Sequence, residues 1–165
     1  MNPDLPPAVF SPDRKYRYVL RRRVGMDDRT VLFVMTNPSV ATEERNDNTI
    51  RRDIDFANRW GYGWLVVCNL YAYCATEPRD LRGVVDPVGP DNDSHLLRES
   101  RAADYIVVAW GENDLQGRAA AYYRMSLTHD FNAKLACLGV NASGQPKHPL
   151  FVSRTARLQN WPRDA

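Results

Sequence analysis

The sequence predicts an α/β fold: a three-layer sandwich in which helices cover a mostly parallel sheet of four to five strands. Three observations predict it. Short, nearly continuous apolar runs recur at TVLFVM, WLVVCNL, YIVVAW and KLACLGV, the pattern of strands covered on both faces. Segments with helical apolar spacing separate these runs, and strand–helix alternation is the signature of parallel βαβ units. The 165 residues are 44% hydrophobic and 25% charged, which suits one globular core that needs neither metal nor disulfide.

The elements follow in order. Residues 1–14 hold Pro3, Pro6, Pro7 and Pro12 and read as an irregular arm. Residues 15–152 form the single α/β domain. Its first strand, 16–24 (YRYVLRRRV), reads as an edge strand because its arginines discourage pairing with other chains. After a turn at 25–29 comes the first buried strand, Thr30–Met35, then a loop to Asp47. Residues 48–60 make a helix: Ile50, Ile54, Ala57 and Trp60 fall on one stripe, Asp47 or Asn48 caps the start, and Gly61 stops the end. Residues 64–70 form the second buried strand. The Pro- and Gly-interrupted stretch 76–88 is a loop with one helical turn. A helix at 91–103 with apolar contacts at Leu96, Leu97 and Ala103, a strand at 105–110, a helix at 117–130 and a strand at 134–140 complete the alternation. Residues 153–165, rich in Arg and Pro, read as a tail.

Composition narrows the function classes. Formal net charge is +2, so no strong whole-chain field points to a polyanion. Of 22 basic residues only Lys15, Lys134 and Lys147 are lysines. Arginine suits bidentate contact with phosphate or carboxylate, although a coding bias gives the same composition. Cys68, Cys74 and Cys137 show no CxxC spacing, which excludes a zinc ribbon and a four-cysteine cluster within one chain. Cys68 and Cys137 lie in apolar runs and read as reduced core residues, which fits the cytoplasm. His95, His129 and His148 are scattered, so no metal site is readable. No apolar run approaches the roughly 20 residues of a membrane span, and the Pro-rich start has no signal-peptide apolar stretch.

In parallel sheets ligands bind beyond the carboxyl ends of the strands, where strand order reverses. That rule selects the loops 36–47, 69–76, 111–117 and 141–151. In the first, Thr36-Asn37-Pro38-Ser39 sits directly past a buried strand. The Asn37 amide can orient a water or read a nucleobase edge, while an Asx-turn uses the same residues. His148, between Lys147 and Pro149, is a donor that switches near neutral pH, or an ordinary loop histidine. Asn69 and Tyr71 follow the second strand, and Trp110-Gly111 ends the third. These aromatics can stack on a base, and glycine admits close backbone approach. Core packing explains the aromatics equally, and is the better reading for Trp110. Asp47, Thr49 and Arg51 surround a helix start that favours an anion, whereas Arg52 reads as part of a solvated face. Tyr122, Tyr123 and Met125 read as core or as an interface.

Several classes drop out. No GxxxxGK[ST], GxGxxG or GxSxG is present, and Ser39 has no local histidine. The carboxylate pairs Glu43-Glu44 and Asp53-Asp55 read as solvated, the second pair on an exposed helix face.

From residue 16 to 151 the sequence resembles domain-of-unknown-function family 1643, found in bacteria and phages. The segments MTNPSVA, DNTIRR, RWGYG, NLYAY, DPVGPDND, AWG and KHPLF carry that resemblance. The family name brings no established activity. More distantly, VLFVMTNPS and KHPLF are similar to the two motifs of the uracil-DNA glycosylase superfamily, looking most like its single-strand-selective branch. That resemblance implies a uracil-DNA glycosylase-like fold. It implies hydrolysis of an N-glycosidic bond in DNA or in a nucleotide, with Asn37 orienting water and His148 stabilising the leaving base. It further implies that Asn69 reads the base edge and Tyr71 stacks on it. Ser39 stands where a glycine often follows Asn-Pro, and Leu150-Phe151 where Ser-Pro is usual, so the alternative is a non-catalytic module binding a nucleotide or modified base. The candidate site therefore comprises Asn37 and His148 for catalysis. Thr36, Pro38, Ser39, Asp47, Arg51, Asn69, Tyr71, Trp110, Gly111 and Lys147 are its candidates for binding. The expected partner is nucleic acid, single-stranded or locally unpaired, or a free nucleotide, with no cofactor, metal or membrane.

Overall fold

The four apolar runs become the parallel centre of a wider, mixed sheet. A computed structural model describes residues 5–39, 44–114 and 117–161. Its strands are β1 (Ala8–Phe10), β2 (Arg17–Arg23), β3 (Thr30–Met35), β4 (Trp64–Asn69), β5 (Tyr105–Val108), β6 (Leu135–Cys137) and β7 (Gln159–Asn160). Its α-helices are α1 (Asn48–Arg59), α2 (Asn92–Ala102) and α3 (Arg118–Thr128). The seven strands lie in the order β1-β2-β4-β3-β5-β6-β7. The pairs β4–β3, β3–β5 and β5–β6 are parallel; β1–β2, β2–β4 and β6–β7 are antiparallel.

Period-two alternation sorts the central strands onto two cores. Leu32, Val34, Val66, Cys68, Ile106 and Val108 face Leu96 of α2 and Tyr122 of α3. Val31, Phe33, Met35, Leu65, Val67 and Val107 face Ile50, Phe56 and Ala57 of α1. One helix therefore covers one face and two cover the other, the three layers that the alternation predicts. Tyr123 and Met125 pack against the first core, and Tyr122 bonds Ser100 Oγ at 2.7 Å, so these residues belong to the interior. Cys68 and Cys137 are buried, Cys74 is half-buried, and none of the three is held in a disulfide. Among the described residues no helix is long and apolar enough to cross a membrane.

Four expectations need correction. The sheet has seven strands, not four to five, and is mixed. The strand read as an edge is covered: β1 pairs with β2 through Ala8↔Leu20 and Val9↔Val19. Pro6, Pro7 and Pro12 flank β1 without interrupting it, so its three residues keep their N–H groups for the ladder. An arginine is tolerated in the covered strand because Arg21 meets Glu99 of α2 at 2.6 Å, both buried. Second, the tail carries β7, and its Trp161 ring stands edge-on to Trp110 at 5.1 Å and to Tyr123 at 5.9 Å. The edges are thus two very short strands, which suits an edge that must not recruit other chains. Third, the buried stripe of α1 is Ile50, Asp53, Phe56 and Ala57, with Ile54 and Trp60 half-buried. Fourth, Asp53, expected on a solvated face, is therefore fully buried. Glu43 lies outside the described residues.

Candidate functional site

Strand order reverses around β3: β4 lies on one side of it and β5 on the other. A cavity of about 670 Å³ opens at this point, beyond the carboxyl ends of the strands. The ends of β3 and β5 are tied beneath it, since Thr36 Oγ1 donates to Trp110 O at 2.7 Å. The loop after β3 supplies Thr36, Asn37 and Ser39; the start of α1 supplies Asp47, Asn48, Thr49 and Ile50. The loop after β4 gives Thr76, Glu77 and Pro78, that after β5 gives Gly111, Glu112 and Asn113, and that after β6 gives Asn141, His148, Leu150 and Phe151.

Asn37 and His148 line this one cavity. The Asn37 Nδ2 donates to Ala75 O at 2.8 Å and to Pro38 O at 3.1 Å. Two carbonyl acceptors fix which end of the amide is nitrogen, and leave the amide oxygen as the unengaged end. Pro38 is buried and works as a pin: its carbonyl also accepts from Ala75 N at 3.0 Å. His148 caps the short 3₁₀ turn Pro149–Phe151, and its Nδ1 accepts from Leu150 N at 3.3 Å. An Nδ1 acceptor implies the neutral tautomer with hydrogen on Nε2. Burial holds the imidazole below the ordinary histidine range, with Asp47 pulling weakly the other way. Asp47 Oδ1 accepts from Ile50 N at 2.8 Å and so caps α1. Gly111 has φ +67°, and a Cβ there would stand 3.7 Å from His148 Cβ.

Six of the twelve candidates line the cavity: Thr36, Asn37, Ser39, Asp47, Gly111 and His148. The other six do not. Pro38 is buried, and Arg51 is exposed on the first turn of α1. Lys147 is half-buried, with its N–H donated to Gly139 O at 2.9 Å. Tyr71 and Trp110 are fully buried core residues, and the indole N–H of Trp110 is donated to Gln145 Oε1 at 2.7 Å. Asn69 ends β4 opposite Met35, buried, with neither amide atom hydrogen-bonded.

Of the lining residues outside the candidate set, two bear directly on what the cavity can do. Arg17, 2% exposed, lines the cavity from the start of β2. Because β2 runs antiparallel to β4, its first residue comes to the edge where the parallel strands end. Burial lowers the pKa of the guanidinium, while nearby Cys74 and Asp47 raise it. Phe151, 81% exposed, stands at the cavity with its ring 5.6 Å from the imidazole. The KHPLF motif contained it, but only the placement of His148 shows that it faces the site.

No group of three or more His, Cys, Asp or Glu side chains able to hold a metal ion occurs among the described residues. The chain belongs to the family described as "Protein of unknown function (DUF1643)", whose profile matches residues 17–150. No curated protein and no solved structure matches it.

Proposed function

We propose that this protein acts on a nucleobase in DNA or in a nucleotide, hydrolysing its N-glycosidic bond in the manner of the uracil-DNA glycosylases. The observation that carries the reading is the convergence of Asn37 and His148 on one cavity, each with its remaining hydrogen-bonding end determined by backbone partners. The Asn37 oxygen accepts a hydrogen bond from water and aligns it with C1′ of the sugar. The C1′–N bond breaks, its electron pair leaves with the base, and the water oxygen bonds to C1′. The proton released by that water passes to solvent. The neutral His148 donates its Nε2–H to the base oxygen where negative charge develops, and such a fixed donor acts without reorganisation. Phe151 supplies the aromatic face on which the base stacks, the role that the buried Tyr71 is not placed to take.

Leu150 and Phe151 favour a second reading, binding of a modified base or nucleotide without cleavage, because they replace the hydroxyl that the superfamily's motif carries after His-Pro. One assay separates the two. The protein is incubated with single- and double-stranded DNA and with free nucleotides carrying uracil and a panel of deaminated or alkylated bases, and freed base is detected by mass spectrometry. Release that falls by about 10²–10³ in His148→Ala, the usual loss on removing such a donor, and that also falls in Asn37→Ala supports hydrolysis. Binding of a panel member without release, at high protein and long times, establishes the second reading.

A further inference from the structure

A second concavity, about 480 Å³, lies at the opposite end of α1, lined by Arg59, Trp60, Thr155, Ala156, Arg157 and Leu158. The last turn of α1 forms one wall. The other comes from residues 155–158, which follow the Pro149–Phe151 turn of the main cavity. The Trp60 indole is held from behind, stacked on Phe56 at 5.1 Å and on Phe33 at 6.1 Å, and remains half-exposed. A rigid, partly open aromatic beside cationic side chains is the pairing that single strands use for binding. Arg59 and Arg157 are exposed, and among the described residues no carboxylate lines the groove.

The charge continues along the helix. Arg51, Asp55 and Arg59 share the exposed face of α1 at four-residue spacing, and Arg154 reaches Asp55 at 4.0 Å. Arg51, Arg59, Arg154 and Arg157 thus stand against one carboxylate on this face. The main cavity is the reverse: Asp47, Glu77 and Glu112 line it against Arg17. A phosphate chain is disfavoured inside the main cavity and favoured along α1. The 12 residues of α1 span about 18 Å at 1.5 Å per residue, a path along which a strand can meet several arginines.

We propose that the Trp60 groove binds the backbone of a single nucleic-acid strand, Arg59 and Arg157 taking phosphate oxygens and the indole stacking on a base. The proposal rests on the reading above only in placing a target base in the main cavity; strand binding itself requires no cleavage. Anisotropy of a labelled 12-nucleotide single strand, as DNA and as RNA, is measured between 50 and 200 mM salt on the full chain. The double variant Arg59→Gln/Arg157→Gln should bind at least tenfold more weakly at 100 mM salt. Its log–log salt slope should be shallower by about 1.4, since each phosphate contact on a single strand contributes about 0.7. Arg59→Lys/Arg157→Lys should keep the wild-type slope, which separates charge from fold. The DNA and RNA arms show which polymer is preferred. A wild-type chain that binds neither strand, or a double variant with unchanged affinity and slope, overturns the proposal. Arg-dependent strand binding with no base release from any substrate leaves the groove standing and removes the hydrolase. Base release with Arg-independent strand binding does the opposite.

Discussion

Asp53 makes the sharpest demand on the fold. Its side chain is 0% exposed, and neither carboxyl oxygen has a hydrogen-bond partner. It lies on the face of α1 that packs Ile50, Phe56 and Ala57 against the sheet. Desolvation, reinforced by Asp47, pushes its pKa well above the ordinary carboxylate value, and Arg52 opposes this only weakly. The folded chain therefore holds a proton that the unfolded chain releases at about pH 4. Between that pH and the raised folded pKa, the folded state binds one more proton, so stability falls as pH rises, by about 1.4 kcal/mol per pH unit. Asp53→Asn removes the titration and should abolish this slope while matching the wild type near pH 4. Asp53→Leu also removes two unsatisfied buried oxygens, a burial that costs about 1–3 kcal/mol in mutational series. It should be more stable than Asp53→Asn by about 2 kcal/mol at every pH, a difference of about 4–8 °C in Tm for a chain of this size. Urea unfolding of the three proteins from pH 4 to pH 9 measures both effects. If Asp53→Asn lowers stability by more than about 1 kcal/mol at every pH, the carboxylate is ionised and paired in solution, and the reasoning fails.

Other consequences follow from single contacts. Glu99→Ala strands the buried Arg21 guanidinium and should cost about 3–5 kcal/mol by urea unfolding, with part regained in Glu99→Ala/Arg21→Met. Gly63→Ala should cost about 3 kcal/mol or more, because a Cβ there would fall 1.4 Å from Asp27 O, a backbone atom; loss of soluble folded protein, read by circular dichroism, checks it. Trp161→Ala removes two edge-on aromatic contacts and should lower stability by about 2 kcal/mol, which thermal unfolding reads. In base release, the acid limb of the pH profile should lie below the ordinary histidine range. Burial lowers the pKa of His148, and the donor role needs the neutral ring, so activity is retained until pH falls through that lowered value.

What was legible in the sequence was what periodicity encodes. The apolar runs match β3 and β4 to within one residue of Thr30–Met35 and Trp64–Asn69, because strands covered on both faces are apolar without a break. The capped helix was legible for a different reason: Asp47 before it and Gly61 after it are local signals with local causes. β1 and β7 were not, since three and two residues are too few to show a period and their pairing partners lie elsewhere in the chain. The apolar stripe of Ile50, Ile54, Ala57 and Trp60 leaves Asp53 on the outer face, because only apolar residues define it. The Asp53 spacing of three from Ile50 and three from Phe56 pointed inward, but carboxylates are rarely fully buried. Tyr71 and Trp110 follow apolar runs, and the chain stays in the core one or two residues beyond each strand.

The candidate site follows the same division. Loops after parallel strands share one edge of the sheet whatever their sequence, so Asn37, Gly111 and His148 could be brought together from topology alone. Arg17 could not, because strand direction is invisible in a single segment: the same RYVLRRR run parallel to β4 would put Arg23, not Arg17, at the cavity. The antiparallel pairing Leu20↔Val67 through Arg23↔Trp64 carries Arg23 to the far edge, where its guanidinium lies over the Trp64 ring at 5.0 Å. Reversing one strand thus exchanges a buried cation in the cavity for one stacked on an aromatic at the opposite edge. The chemistry open to this site depends on that direction as much as on the Asn-Pro and His-Pro motifs that mark it.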